Sequence, residues 1–126
     1  KQVLGGAGNV FNNLTSMEVQ TTFLTVIGKD HSGKEIKKLL SKKKFSKSFL
    51  FEEKERDTTV KTRYLSNNQQ IIRIDEEKAE KIQLKTSNLL IKKFNQLVIK
   101  NDIVIISDYN KGLFQKKKFA EDHKYL

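Results

Sequence analysis

The chain has 126 residues, with 22 Lys and 3 Arg against 15 Asp+Glu, a formal charge of +10, and neither Cys nor Pro. That length allows one compact domain and little more. Without Cys there is no disulfide framework and no thiolate metal site, which fits a reducing cytoplasm.

The apolar runs are too short to cross a bilayer, and no leading stretch reads as a secretory signal. A strongly basic small domain raises nucleic acid or an anionic membrane as a partner. Here the excess is Lys in a chain that is also rich in Ile and Asn. A compositional bias accounts for that charge as well as a function does.

In chain order, Gly5-Gly6-Ala7-Gly8-Asn9 comes first, a stretch able to turn tightly or approach a ligand closely. Val10–Leu14 reads as a short helix. Gln20–Ile27, mostly β-branched or aromatic, reads as a strand ended by Gly28. Ser32 and Glu35 have capping-box spacing, and Ile36, Leu39 and Leu40 form the apolar stripe of the helix that follows. Lys42–Lys44 reads as a solvated helix end, with anion binding as the alternative.

Ser48–Phe51 is a short strand candidate. Thr58–Leu65 alternates, with Val60, Thr62 and Tyr64 on one side and Lys61, Arg63 and Leu65 on the other. Ser66-Asn67-Asn68 is turn chemistry, and Gln69–Asp75 returns, so the pair predicts a β-hairpin. A lone hairpin is marginal in water and must pack on something or pair with another chain.

Glu76–Lys81 is charged and expected to be exposed. Thr86–Val98 reads as a helix, with Leu90, Ile91, Phe94, Leu97 and Val98 on one face. Ile103–Ile106, bracketed by Asp102 and Asp108, reads as a strand buried on both faces of a parallel sheet. The stretch 115–126 is Lys-rich and weakly patterned.

This order argues an α/β fold with a partly separate β element. Ligands in such sheets collect beyond the carboxyl ends of strands, where Asp108, Tyr109, Lys111, Gly28 and Asp30 would lie. All three arginines, Arg56, Arg63 and Arg73, fall within 18 residues of a chain that otherwise uses Lys. A guanidinium fork suits phosphate or carboxylate, and Arg63 shares its face with Lys61. The competing reading is a charged sheet edge that discourages aggregation. Asp108 suits a ligand hydroxyl or, equally, the amides of its own turn. His31 and His123 have no metal-pair spacing and read as surface residues. No Walker A loop, nucleophile elbow or zinc cluster is present.

Three segments together resemble one family. They are Gly5-Gly6-Ala7-Gly8-Asn9-Val10, the run Thr58–Arg63 with Asn68–Asp75, and Ser107-Asp108-Tyr109-Asn110-Lys111-Gly112. Their order and spacing resemble the ribokinase-like (PfkB) carbohydrate kinases over roughly Val3 to Phe114. The middle segment resembles the heptose 7-phosphate kinase branch, found in bifunctional heptose kinase/adenylyltransferases of lipopolysaccharide core synthesis.

The resemblance implies a partial ribokinase-like parallel sheet flanked by helices, one domain over 1–126, with an inserted hairpin lid at about 48–75. It implies that Gly5, Gly6 and Asn9 meet sugar hydroxyls. Lys61, Arg63 and Arg73 would lie near the sugar phosphate, and Asp108 and Lys111 near the sugar and the transferred phosphate. ATP and Mg²⁺ are the implied phosphoryl donor and metal. A phosphorylated sugar and a second copy, paired through the lid, are the implied partners.

The sequence also departs from the family. A bulky Phe11 at a usually small position is expected to disturb helix-on-sheet packing. Glu18 stands where Gly or Ser is usual. The Gly-Ala-Gly-Asp motif that carries the family's catalytic Asp is absent from these residues, as are the first strand and the nucleotide-binding half. No catalytic residue is therefore assigned, and the chain alone is expected to be inactive and marginally stable. Two other functions remain open: a nucleic-acid-binding module, which predicts steep salt dependence but has little aromatic interleaving, and a non-catalytic dimerisation module.

Overall fold

The computed structural model describes residues 2–114. Its elements run α1 (Ala7–Ser16), β1 (Thr21–Gly28), α2 (His31–Ser41), β2 (Ser46–Glu53), β3 (Val60–Ser66), β4 (Gln69–Glu76) and α3 (Leu84–Val98). β1 and β2 pair in parallel from Thr21↔Ser46 to Gly28↔Glu53, with α2 as the crossover. β3 and β4 form a separate antiparallel ribbon. The chain is thus mixed α/β, with helices around a parallel sheet, as a partial ribokinase-like fold requires. The Lys-rich stretch 115–126 and its His123 lie outside the described residues.

Alternation along the parallel strands sends side chains to two layers. Phe23 and Leu50 join the cluster of Leu4, Phe11 and Leu40, packed with Ile36 and Leu39 of α2. The other face meets α3, where the Lys93 ammonium sits 4.3 Å from the centre of the Phe49 ring. On α3 the expected apolar face turns inward: Leu90 is buried, and Ile91, Phe94, Leu97 and Val98 are half-buried.

The expectation for Phe11 is overturned. It is only 2 % exposed, and its ring lies 5.1 Å from that of Phe23, tilted by 31°. Instead of disturbing the helix, it anchors α1 to the sheet through an aromatic contact. Glu18 follows α1 with φ of 60°, in the left-handed region that favours glycine. It closes the turn in which Val19 N–H donates to the Leu14 carbonyl.

Three further expectations are corrected. The cap of α2 is Asp30 rather than Ser32, because its carboxylate accepts the Gly33 amide at 2.6 Å. β2 joins the parallel sheet, so the antiparallel ribbon is confined to 60–76 instead of about 48–75. Ile103–Ile106 is not a strand. These residues make no ladder, and Ile103 is 79 % exposed.

These residues lie across a cleft from β1 without pairing to it. Extended backbone needs a partner strand, and among the described residues β1 pairs with β2 alone. A cleft of about 290 Å³ is lined by β1 residues, Phe11, Leu90 and Phe94 together with Ile103–Ser107.

The ribbon turns through Asn67 and Asn68, with φ of 49° and 63°, the backbone a two-residue hairpin needs. Tyr64, Ile72 and Ile74 lie on one face and are exposed. No helix among the described residues is long and apolar enough to cross a membrane.

Candidate functional site

Two legs carry the ribbon away from the sheet, and each is fastened. On the outgoing leg, Asp30 accepts from Thr58 N–H at 2.7 Å and from the Thr58 hydroxyl at 2.8 Å, besides capping α2. Thr58 Oγ1 in turn accepts the Gly28 amide at 2.9 Å. A Cβ on Gly28 would run into the Arg56 carbonyl, so glycine is what lets strand end and leg approach this closely. Burial pushes the Asp30 carboxyl up, but the amide and hydroxyl donors of Thr58 and Gly33 outweigh it and hold it below its usual range. On the returning leg, Glu53 Oε1 accepts the Gln83 amide at 2.8 Å.

The loop 108–112 joins these legs to the start of α1. Gly6, with φ of 50°, caps α1 without a side-chain bond, and the Tyr109 ring lies 3.3 Å from where its Cβ would be. Arg56 donates to the Glu80 carbonyl at 3.0 Å and to the Lys111 carbonyl at 2.6 Å. Gly112 has φ of 77° and leaves no room for a Cβ beside the Glu80 carbonyl. Its own carbonyl accepts the Ile82 amide at 3.1 Å. Arg56 is therefore a bolt between leg and loop, with its fork spent on two backbone carbonyls.

A charged cluster continues onto the ribbon. Lys111 Nζ pairs with Glu77 Oε1, and Lys61 Nζ donates to Glu77 Oε2 at 3.2 Å and to Asp75 Oδ2 at 2.7 Å. Arg73 Nε meets Asp75 Oδ1 at 2.9 Å. The Asp75 bond, then that of Glu77, raises the Lys61 pKa. Lys111 first, then Lys61, lowers that of Glu77, and Lys61 lowers that of Asp75. Glu77 was expected to be exposed with its neighbours; it is half-buried because it pairs with two lysines.

Arg63 faces Arg73 directly across the ribbon and makes no ion pair among the described residues. Like charges opposed on neighbouring strands repel. Asp75 offsets that repulsion on the Arg73 side.

The structure thus links Gly6, the 108–111 loop, Lys61, Arg73 and Arg63 in one series of neighbours. Gly5 has open space at its Cα, and Asn9 is exposed. Asp108 accepts the amide of Asn110 at 2.8 Å, the turn role that competed with a ligand role. Sequence reasoning passed over Glu77, placed Tyr109 at a strand end without its contact to Gly6, and grouped Arg56 with anion binders. Only for Asp30 was there a local signal, its three-residue spacing to Gly33 at a helix start.

No group of three or more His, Asp or Glu among the described residues is arranged to hold a metal ion. These residues form no all-protein cage for Mg²⁺.

The model of the pfkB family carbohydrate kinases matches residues 1–123. Similar curated proteins include three called "Bifunctional protein HldE". That of Trichlorobacter lovleyi is 40% identical over 117 residues, 93% of this chain and 24% of the relative. That of Citrifermentans bemidjiense is 41% identical over 110 residues, 87% of this chain and 23% of the relative. That of Nitratiruptor sp. is 36% identical over 115 residues, 91% of this chain and 24% of the relative. The chain spans about a quarter of the length of the curated relatives it matches.

Proposed function

Because the chain belongs to the pfkB family of carbohydrate kinases, we propose that it forms the sugar-binding and lid portion of an ATP-dependent kinase acting on heptose 7-phosphate. The observation that carries this reading is the loop 108–112. It touches the start of α1 through Tyr109, and Lys111 pairs with Glu77, the carboxylate that also holds Lys61 of the ribbon. A molecule with hydroxyls at one end and phosphate at the other matches that spacing of chemistry.

In this reading Gly5, Gly6 and Asn9 receive the hydroxyl end. Asp108 and Lys111 border the reacting hydroxyl. Arg63 and Arg73 receive the phosphate, with Lys61 beside them. Asp75 already pairs with Arg73 at 2.9 Å, so Arg63, opposite it in the ribbon and without an ion pair among the described residues, is the guanidinium with donors to offer a phosphate. ATP supplies the phosphoryl group in this family, and its attachment lies outside the contacts described. The chain's own contribution is to hold the acceptor sugar in place, and positioning is a large part of catalysis in phosphoryl transfer.

The other face of the ribbon carries exposed Tyr64, Ile72 and Ile74. An apolar face on an isolated hairpin favours pairing with a second copy of the chain. Ile72→Lys is expected to lower the sedimenting mass if that pairing forms.

The direct test is calorimetric titration with heptose 7-phosphate and with unphosphorylated heptose. The phosphorylated sugar should bind at least tenfold tighter, a difference of about 1.4 kcal/mol. Arg63→Ala and Lys61→Ala should remove most of that preference. Equal binding of both sugars, or a preference untouched by both variants, rejects the reading.

A further inference from the structure

Lys61 and Lys111, two of the cations assigned to an anionic ligand, are already engaged. Glu77 divides its carboxylate between them, Oε2 to Lys61 at 3.2 Å and Oε1 to Lys111. Lys61 belongs to β3, Lys111 to the loop, and Glu77 to the returning leg. One carboxylate therefore ties three parts of the site together.

A carboxylate and a phosphate are both acceptors that use the same N–H donors. They also repel each other at close range. We propose that Glu77 is an internal counter-anion: it holds the Lys61–Lys111 ammonium pair when the site is empty and must be displaced by the anionic group of the ligand. This rests on the reading of those lysines as ligand-facing.

The arrangement allows such an exchange. The Lys61, Lys111 and Glu77 side chains are 38 %, 33 % and 24 % exposed, so these bonds are screened by water and salt and can be broken. Displacing Glu77 would not release the loop. Arg56 still holds the Lys111 carbonyl at 2.6 Å, and Gly112 still holds Ile82 at 3.1 Å. Lys61 would keep Asp75 as a partner at 2.7 Å. The ribbon side can therefore change its ion pairs while the legs stay bolted. By linkage, removing the Glu77 charge must tighten anion binding by as much as the anion weakens the Glu77 contacts.

The test is calorimetric titration of the full 126-residue chain with inorganic phosphate at low ionic strength. Glu77→Gln keeps the shape and removes the charge, and it should bind phosphate about five- to tenfold tighter than the unaltered chain. Glu77→Ser, which removes both charge and reach, carries the same expectation if the first variant folds poorly. Adding Lys111→Ala to Glu77→Gln should cancel the gain. A purely structural Glu77 predicts the opposite sign, because loosened lysines bind less well. Phosphate affinity that is unchanged, weaker or undetectable in the Glu77 variants overturns the proposal. If heptose 7-phosphate shows no preference over heptose while the phosphate comparison holds, the sugar assignment fails and the counter-anion stands.

Discussion

Asp30 binds Thr58 twice, through its backbone amide at 2.7 Å and its hydroxyl at 2.8 Å, and with the same carboxylate it caps α2. One side chain so ties the end of β1, the start of α2 and the entry of the ribbon. Thr58 is 7 % exposed, so its amide has little access to water as a substitute partner.

Asp30→Ala removes a cap and leaves the Thr58 amide unpaired. Loss of an N-cap alone costs about 0.5–2 kcal/mol, and the orphaned donor adds to it. The thermal midpoint should fall by several degrees, as read by circular dichroism. Asp30→Asn keeps an acceptor oxygen and should lose less. An alanine variant melting with the unaltered chain would show that the outgoing leg is held elsewhere.

Acid should act through the same residue. The folded-state pKa of Asp30 lies below the ordinary 3.8, so the folded state binds its proton less readily than the unfolded chain does. Its stabilising contribution is complete above that ordinary value and is lost as pH falls through the lower folded value. Asp75 and Glu77 shift in the same direction for a different reason, their bonds to lysine. Melting temperature should therefore drop below roughly pH 4, and the drop should be shallower in Asp30→Ala. A parallel acid profile in the variant would contradict this assignment.

Glu18 occupies a left-handed conformation, with φ of 60°. Backbone of this kind costs a non-glycine residue about 1 kcal/mol. Glu18→Gly should raise the denaturation midpoint by a corresponding amount without touching the ribbon or its ion pairs. A lower midpoint would mean that the Glu18 side chain contributes more than its backbone costs.

Arg56 serves two carbonyls, of Glu80 and Lys111, from one guanidinium. An ammonium has no planar fork to match that pair. Arg56→Lys should preserve charge and fold but raise hydrogen exchange at Ile82, whose amide depends on Gly112 being held in place. Unchanged exchange there would remove Arg56 from its role as the bolt between leg and loop.

Much of this architecture is written locally. The alternation of Val60, Thr62 and Tyr64 with Lys61 and Arg63, ended by Asn67-Asn68, specifies a two-faced ribbon before any tertiary contact forms. The spacing of Leu90, Phe94 and Leu97 does the same for the inner face of α3. The three ordered motifs likewise point to a carbohydrate kinase family without a structure.

What the tertiary structure alone decided is partnership. Nothing local says that Glu77 will meet Lys111, 34 positions away, or that the Arg56 fork will be used up by backbone carbonyls. Pattern could not reveal that Phe11 fits against Phe23, nor that Ile103–Ile106 would form no ladder with any described strand. Periodicity and turn chemistry are properties of neighbouring residues. Ion pairs, packed rings and β-ladders depend on which distant segments the fold brings side by side.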